Sequence, residues 1–395
     1  MLVTARAVRA FGDGFVSVLL PVYLLGLGLD GFQIGAVATS TLVGSSALTL
    51  AVGFVAYRFR ARPLLATAAV LMAATGVAFA LVHGLWPLLI VAFIGTLNPS
   101  SGDVSVFLPL EQSALPQTVS AKERTALFAR YSLVGSLVAA IGSLCAGLPD
   151  LIVAHSSMQL TQALQGMFLV YGALGLVALA LYRRLSPSLS EPQQDRPPLR
   201  ESRRIVYTMA ALFALDSFGG GFVVQSLLAL WLFQRFDLSV ATAGTIFFWT
   251  GVLSAGSYLV AVRLAHRFGL VNAMVFTHLP SNVLLLLVPF MPSLALAILL
   301  LLLRSALSQM DVPTRNSYVM AVVSPAERPA AASITTVPRS LATAASPLLS
   351  GYLLGLSAFG WPLVIAGALK GVYDLLMLAL FARVRPPEEA EARRV

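Results

Sequence analysis

Cysteine occurs once in the 395 residues, at Cys145, so no disulfide can close within the chain and thiol redox chemistry has little to use. Histidine is nearly as scarce: His83, His155, His266 and His278 fall in different segments with no metal-ligand spacing, which argues against a metal centre or a metalloenzyme. No glycine loop carries the lysine that cradles a nucleotide phosphate, so neither ATP drive nor any other bound cofactor is expected. Charge is the deepest deficit. Asp, Glu, Lys and Arg make up 11% of the chain, against about 25% in an average soluble domain. Water is not the main solvent of this chain.

Apolar residues take the space left by charge, at 58% of the chain. They come in runs free of Asp, Glu, Lys and Arg, such as Pro63 to Gly102, Leu151 to Tyr182 and Phe268 to Leu303. A bilayer span needs about 20 such residues, so the longest runs hold more than one helix. His83-Gly84, Pro289 to Pro292 and Gly355 to Pro362 divide them. The pattern predicts twelve helices near 4–29, 32–57, 64–83, 86–118, 126–148, 160–184, 205–234, 240–264, 270–289, 292–322, 328–354 and 361–384.

The net charge of +9 does not point to nucleic acid, because the basic residues follow membrane topology. Arg6 and Arg9 precede the first helix, Arg58, Arg60 and Arg62 follow the second, and Lys122 and Arg124 follow the fourth. Arg183 to Arg204, Arg263 and Arg267, Arg328, and Arg383 to Arg394 continue the alternation, with only Arg235 on the other side. Positive residues mark the cytoplasmic face, which places both termini inside a plasma (inner) membrane protein. The first apolar segment lacks a small-residue cleavage site, so it is expected to insert uncleaved.

The chain repeats itself. Leu185 to Arg204, rich in Pro, Ser, Glu and Arg, reads as a polar linker between halves at 1–184 and 205–395. Phe11-Gly12 aligns with Phe218-Gly219 and Gly14-Phe15-Val16 with Gly221-Phe222-Val223. Pro109, Ser113, Ser120 and Glu123-Arg124 meet Pro313, Ser317, Ser324 and Glu327-Arg328. A parallel six-plus-six repeat with a basic central loop resembles the major facilitator superfamily of secondary transporters. That resemblance implies an all-α membrane fold, two pseudo-symmetric six-helix bundles about a central cavity, and alternating access at a site near the midplane.

Its loop motif, Gly-x-Leu-Ala-Asp-Arg-x-Gly-Arg in the family, is met by GFVAYRFRAR (Gly53 to Arg62), which keeps Gly53, Arg58 and a basic tail through Arg62 but has Tyr57 for the acid. The copy LAHRFG (Leu264 to Gly269) keeps Arg267, with His266 for the acid. The exporters' fifth-helix signature is represented by GSLCAG (Gly142 to Gly147), without its proline.

A charge at a helix centre costs roughly 2.5–3.5 kcal/mol on insertion scales, so each one needs a partner, water or a function. Arg304, Ser308, Asp311 and Arg315 fall on one narrow stripe of the tenth helix. Arg315 aligns with Glu111, and opposite charges at equivalent positions suggest a cytoplasmic gate between them; the competing possibility is that each pairs within its own half, as Arg315 with Asp311. Asp13 lies one turn from Arg9, which offers a local pair. Asp216, aligned with Arg9, has no basic neighbour in sequence. A carboxyl stripped of water holds its proton more readily, which makes Asp216 the leading candidate for proton coupling and Asp13 the second. Lys370 and Asp374, one turn apart, read as a structural pair. Asp103, in the polar break NPSSGD (Asn98 to Asp103), and Tyr23, Gln225 and Trp249 are candidates for the cavity wall.

Together these features predict a monomeric secondary transporter, with a small-molecule substrate, protons and the lipid bilayer as its partners. Proton-coupled efflux of an amphipathic, drug-like compound comes first. The alternatives are uptake or export of an organic anion held by the Arg304, Asp311 and Arg315 stripe, and a polytopic membrane enzyme.

Overall fold

In a computed structural model the described residues are 1–55, 61–100, 105–115, 124–185, 202–324, 327–382 and 384. They form sixteen α-helices: α1 (Leu2–Gly26), α2 (Gly31–Val55), α3 (Ala61–Leu81), α4 (Leu85–Ile94), α5 (Phe107–Ala114), α6 (Arg124–Cys145), α7 (Leu148–His155), α8 (Leu160–Arg183), α9 (Arg203–Gly221), α10 (Gln225–Phe236), α11 (Val240–Phe268), α12 (Leu270–Leu287), α13 (Leu294–Ser308), α14 (Asp311–Val322), α15 (Arg328–Leu356) and α16 (Trp361–Phe381). Among the described residues, ten helical segments are long and apolar enough to cross a membrane. The outward surface agrees, since Leu81, Trp86, Phe276 and Leu356 are each more than three-fifths exposed, and a soluble monomer does not display apolar area on that scale.

The twelve predicted segments are present, three of them interrupted. The fourth is α4 and α5, separated by the polar stretch that holds Asn98, the seventh α9 and α10, and the tenth α13 and α14; the fifth is α6, and α7 extends beyond its predicted end. At the last break the Met310 amide bonds back only three residues, to the Leu307 carbonyl. The stripe read as one face of one helix is therefore shared: Arg304 and Ser308 belong to α13, Asp311 and Arg315 to α14.

Local chemistry sets the ends. Asp30 and Gln33 cap α2 reciprocally, Gln33 N–H donating to Asp30 Oδ1 at 2.8 Å and Asp30 N–H to Gln33 Oε1 at 3.0 Å. Gly84 and Gly360 turn the chain at φ 99° and 102° before α4 and α16, a region that glycine enters without steric cost.

Packing divides the chain into two compact units. The first is Met1–Gln193 with Val224–Gly251 and Pro347–Ala358; the second is Gln194–Val223 with Val252–Ser346 and Phe359–Val395. The boundary thus falls inside the interrupted seventh segment and inside α11 and α15. Most of the polar stretch read as a linker, residues 186–201, lies outside the described residues. In the first unit α1 packs on α6, α8 and α10, and α3 on α8; in the second α16 packs on α9 and α12, and α12 on α13 and α14.

Glycine makes two close helix contacts possible, α1 with α6 and α9 with α15. A Cβ on Gly14 would lie 2.1 Å from the Ala139 carbonyl oxygen, and one on Gly221 would lie 2.3 Å from the Thr343 carbonyl oxygen. These are aligned positions of the repeat, so the same close helix contact is built in each unit.

Candidate functional site

Each unit buries a charge cluster. In the first, Arg9 on α1 is ion-paired to Glu111 on α5, both almost completely buried. Tyr182 of α8 ties them together, accepting from Arg9 Nε at 3.0 Å and donating to Glu111 Oε1 at 2.6 Å. The Tyr131 hydroxyl of α6 donates to Glu111 Oε2. Arg9 also lies over the Phe107 ring, 4.0 Å from its centroid. A buried pair survives in hydrocarbon only when its remaining donors and acceptors are satisfied, and the two tyrosines do that here.

Asp13, one turn from Arg9, is not the acid Arg9 takes. It is 4% exposed and faces the hydroxyl of Tyr171, which donates to the Thr96 carbonyl at 3.1 Å. Asp13 forms no ion pair among the described residues. Nearby, Gln225 Nε2 donates to Ser143 Oγ at 3.1 Å, and Ser143 Oγ to the Gly14 carbonyl at 3.1 Å.

The second unit holds the larger cluster. Asp216 on α9 receives Lys370 Nζ of α16 at 2.5 Å on Oδ1 and Arg315 of α14 at 3.2 Å on Oδ2. Arg315 also reaches Asp311 at 3.3 Å. Asp374 accepts from His278 Nδ1 at 2.8 Å and from Asn282 Nδ2 at 2.8 Å. Arg339 Nε of α15 donates to Ser217 Oγ at 3.3 Å. Arg304 Nε is buried and has no hydrogen-bond partner among the described residues.

Several sequence expectations change. Lys370 and Asp374 do not pair with each other, because their helix presents them to different neighbours, Asp216 on α9 and His278 on α12. Asp216, isolated in sequence, is the most heavily paired acid of the cluster. Glu111 and Arg315 are each neutralised inside their own unit. Tyr23 is fully buried, donates to the Phe79 carbonyl at 2.7 Å and packs on Phe168, which ties α1 to α3 and α8. Trp249 is 52% exposed on α11, and Ser308 hydrogen-bonds the Ser305 carbonyl of its own helix. Arg62 reaches the Arg183 carbonyl at 2.5 Å, a cation at the C-terminal end of α8 where the helix dipole favours one, and Arg267 rests against Phe268. Asp103 and Arg58 lie outside the described residues. His278, Asn282 and Arg339 were missed, since a lone polar residue in an apolar run carries no signal until its partner helix is known.

A profile of the Major Facilitator Superfamily matches residues 2–307 and 210–395. The chain belongs to this superfamily. Its fold is shared with a bacterial homologue of the human lysosomal transporter Spinster (TM-score 0.76, 15% identity, 97% of each chain), with the xylose transporter XylE from E. coli (TM-score 0.73, 16% identity, 99% of this chain and 98% of that one), and with the nucleoside transporter NupG (TM-score 0.71, 17% identity, 96% and 98%). An uncharacterized membrane protein of Saccharomyces cerevisiae is 22% identical, covering 95% of this chain and 92% of its own length. The protein is a multi-pass membrane transporter of a small molecule and not an enzyme.

Proposed function

We propose that this superfamily member is a proton-coupled transporter of small organic anions, monomeric in the inner membrane with both termini in the cytoplasm. The observation that carries the reading is the surplus of basic groups inside the second unit. Asp216, Asp311 and Asp374 are already engaged by Lys370, Arg315 and His278, whereas Arg304 and Arg339, both half-buried, form no ion pair among the described residues. Desolvating an unneutralised cation costs several kcal/mol, and an anionic substrate would offset that cost. Of the substrate classes weighed from the sequence, organic anions therefore fit better than amphipathic drug-like compounds. Proton coupling is supported by Asp13, a buried acid facing a tyrosine and no paired cation, which takes precedence over the doubly paired Asp216. The basic residues at the predicted cytoplasmic ends support the orientation.

The test is flux in proteoliposomes. Purified protein is offered radiolabelled mono- and dicarboxylates, phosphate esters and amphipathic cations under an imposed pH gradient. Saturable anion flux that follows the gradient is expected, and Arg304→Gln and Arg339→Gln should weaken it. Flux of amphipathic cations with none of the anions would restore the efflux reading, and anion flux indifferent to the gradient would remove proton coupling. An Asp13→Asn protein still driven by the gradient would place the proton elsewhere.

A further inference from the structure

His278 is 4% exposed and is faced by charge from three helices. From α16 come Asp374, Lys370 and the Tyr373 ring, whose centroid is 5.9 Å from the imidazole. From α9 comes Asp216, and from α14 Asp311. On its own helix, Asn282 Nδ2 lies 3.1 Å from Nδ1. The two ring nitrogens therefore stand in different settings. Nδ1 is 2.8 Å from Asp374 Oδ1; with Asp374 ionised, a carboxylate only accepts, so Nδ1 carries the hydrogen, and the Asn282 amide, also a donor, bonds Asp374 rather than the ring. Asn282 fixes the other carboxylate oxygen at 2.8 Å. Nε2 carries no hydrogen and lies 3.8 Å from Asp216 Oδ1, the same oxygen that Lys370 holds.

We propose that His278 is the proton-binding residue of the second unit, oriented by Asp374, and that its proton is taken up together with the transported anion. The inference rests on the anion reading above. With His278 neutral, the three acids Asp216, Asp311 and Asp374 face four cations, Arg304, Arg315, Arg339 and Lys370, a surplus of one positive charge. A proton placed on Nε2 forms a second N–H facing Asp216, breaks no covalent bond, and adds one positive charge to that surplus. It also makes Lys370 share its acceptor with a second cation. An anion arriving beside Arg304 and Arg339 offsets the added charge, so by linkage each species strengthens binding of the other. Asp374 acts as a positioning residue: it holds the tautomer that leaves Nε2 open and stabilises the imidazolium when it forms.

The experiment follows the histidine directly. The protein with 13C-labelled histidine is titrated in detergent by NMR, and the resonance absent from His278→Gln is assigned to His278. It should move with pH as the Nε2 proton is gained and lost. In Asp374→Asn its midpoint should move to lower pH, because a neighbouring negative charge has been removed. A resonance that does not titrate, or a midpoint unmoved by Asp374→Asn, overturns the assignment. If His278→Gln does not fold, the resonance selectively displaced in Asp374→Asn identifies the site. In proteoliposomes His278→Gln should lose accumulation driven by the pH gradient while still exchanging labelled for unlabelled anion across the membrane. Retention of gradient-driven accumulation, or loss of exchange as well, also overturns the proposal. A wild-type protein that moves no anion of the panel defeats the anion reading, while the titration still decides the role of His278 by itself.

Discussion

Arg315 reaches Asp216 at 3.2 Å, and these two residues align with Glu111 and Arg9, which form the ion pair of the first unit. The same contact is made twice with the signs exchanged. The reversal between repeats is thus compensated within each one, and that accounts for a charge pattern which in sequence alone suggests a pair across the halves.

This compensation makes charge reversal informative. Glu111→Arg sets two arginines against each other beside Tyr131 and Tyr182, and Arg315→Glu gathers three acids around Lys370. Each single reversal should abolish transport, and the double reversal should do no better than the singles. A rescued double mutant would reinstate a gate in which Glu111 and Arg315 meet.

The swap within one unit should behave in the opposite way. Asp216→Arg with Arg315→Asp recreates in the second unit the arrangement of Arg9 and Glu111, so it should fold better than either single variant. Thermal unfolding in detergent measures this, and a double variant less stable than both singles would remove the equivalence.

Lys370→Met leaves Asp216 with one cation instead of two. Removing one partner of a buried pair costs about 3–5 kcal/mol, and the remaining Arg315 contact should hold the loss to the lower end. Adding Asp216→Asn should recover part of it. If the two losses simply add in a double-mutant cycle, the 2.5 Å contact contributes nothing specific.

Tyr182→Phe removes the hydroxyl that bridges Arg9 and Glu111. A hydrogen bond to a charged group contributes about 1.5–3 kcal/mol, and a loss of that size is expected in the unfolding midpoint. Tyr23→Phe, whose bond is to a neutral carbonyl, should cost less.

At Gly14 even one methyl group meets the Ala139 carbonyl, and backbone cannot rotate aside as a side chain can. Gly14→Ala should cost about 1–3 kcal/mol through overpacking. Gly256→Ala is the control: its Cβ meets nothing within 4 Å, so helix propensity should leave it neutral or more stable by about 0.5–1 kcal/mol. Equal effects at the two sites would show that the α1 to α6 crossing can relax.

The sequence by itself determined the membrane class, the twelve segments, their repeat and the positions of buried charge. Those features are local or periodic: an apolar run as long as a bilayer is thick, a glycine before α4, an acid in hydrocarbon. Tertiary structure decided the partners. Arg9 is 102 residues from Glu111, and Asp216 is 154 from Lys370 and 99 from Arg315. Helix periodicity places Lys370 beside Asp374 and Arg9 beside Asp13, yet a side chain leaves its own helix for whichever charge the neighbouring helix brings closest. That choice depends on how helices are rotated and crossed, which glycines such as Gly14 and Gly221 permit and no single segment encodes.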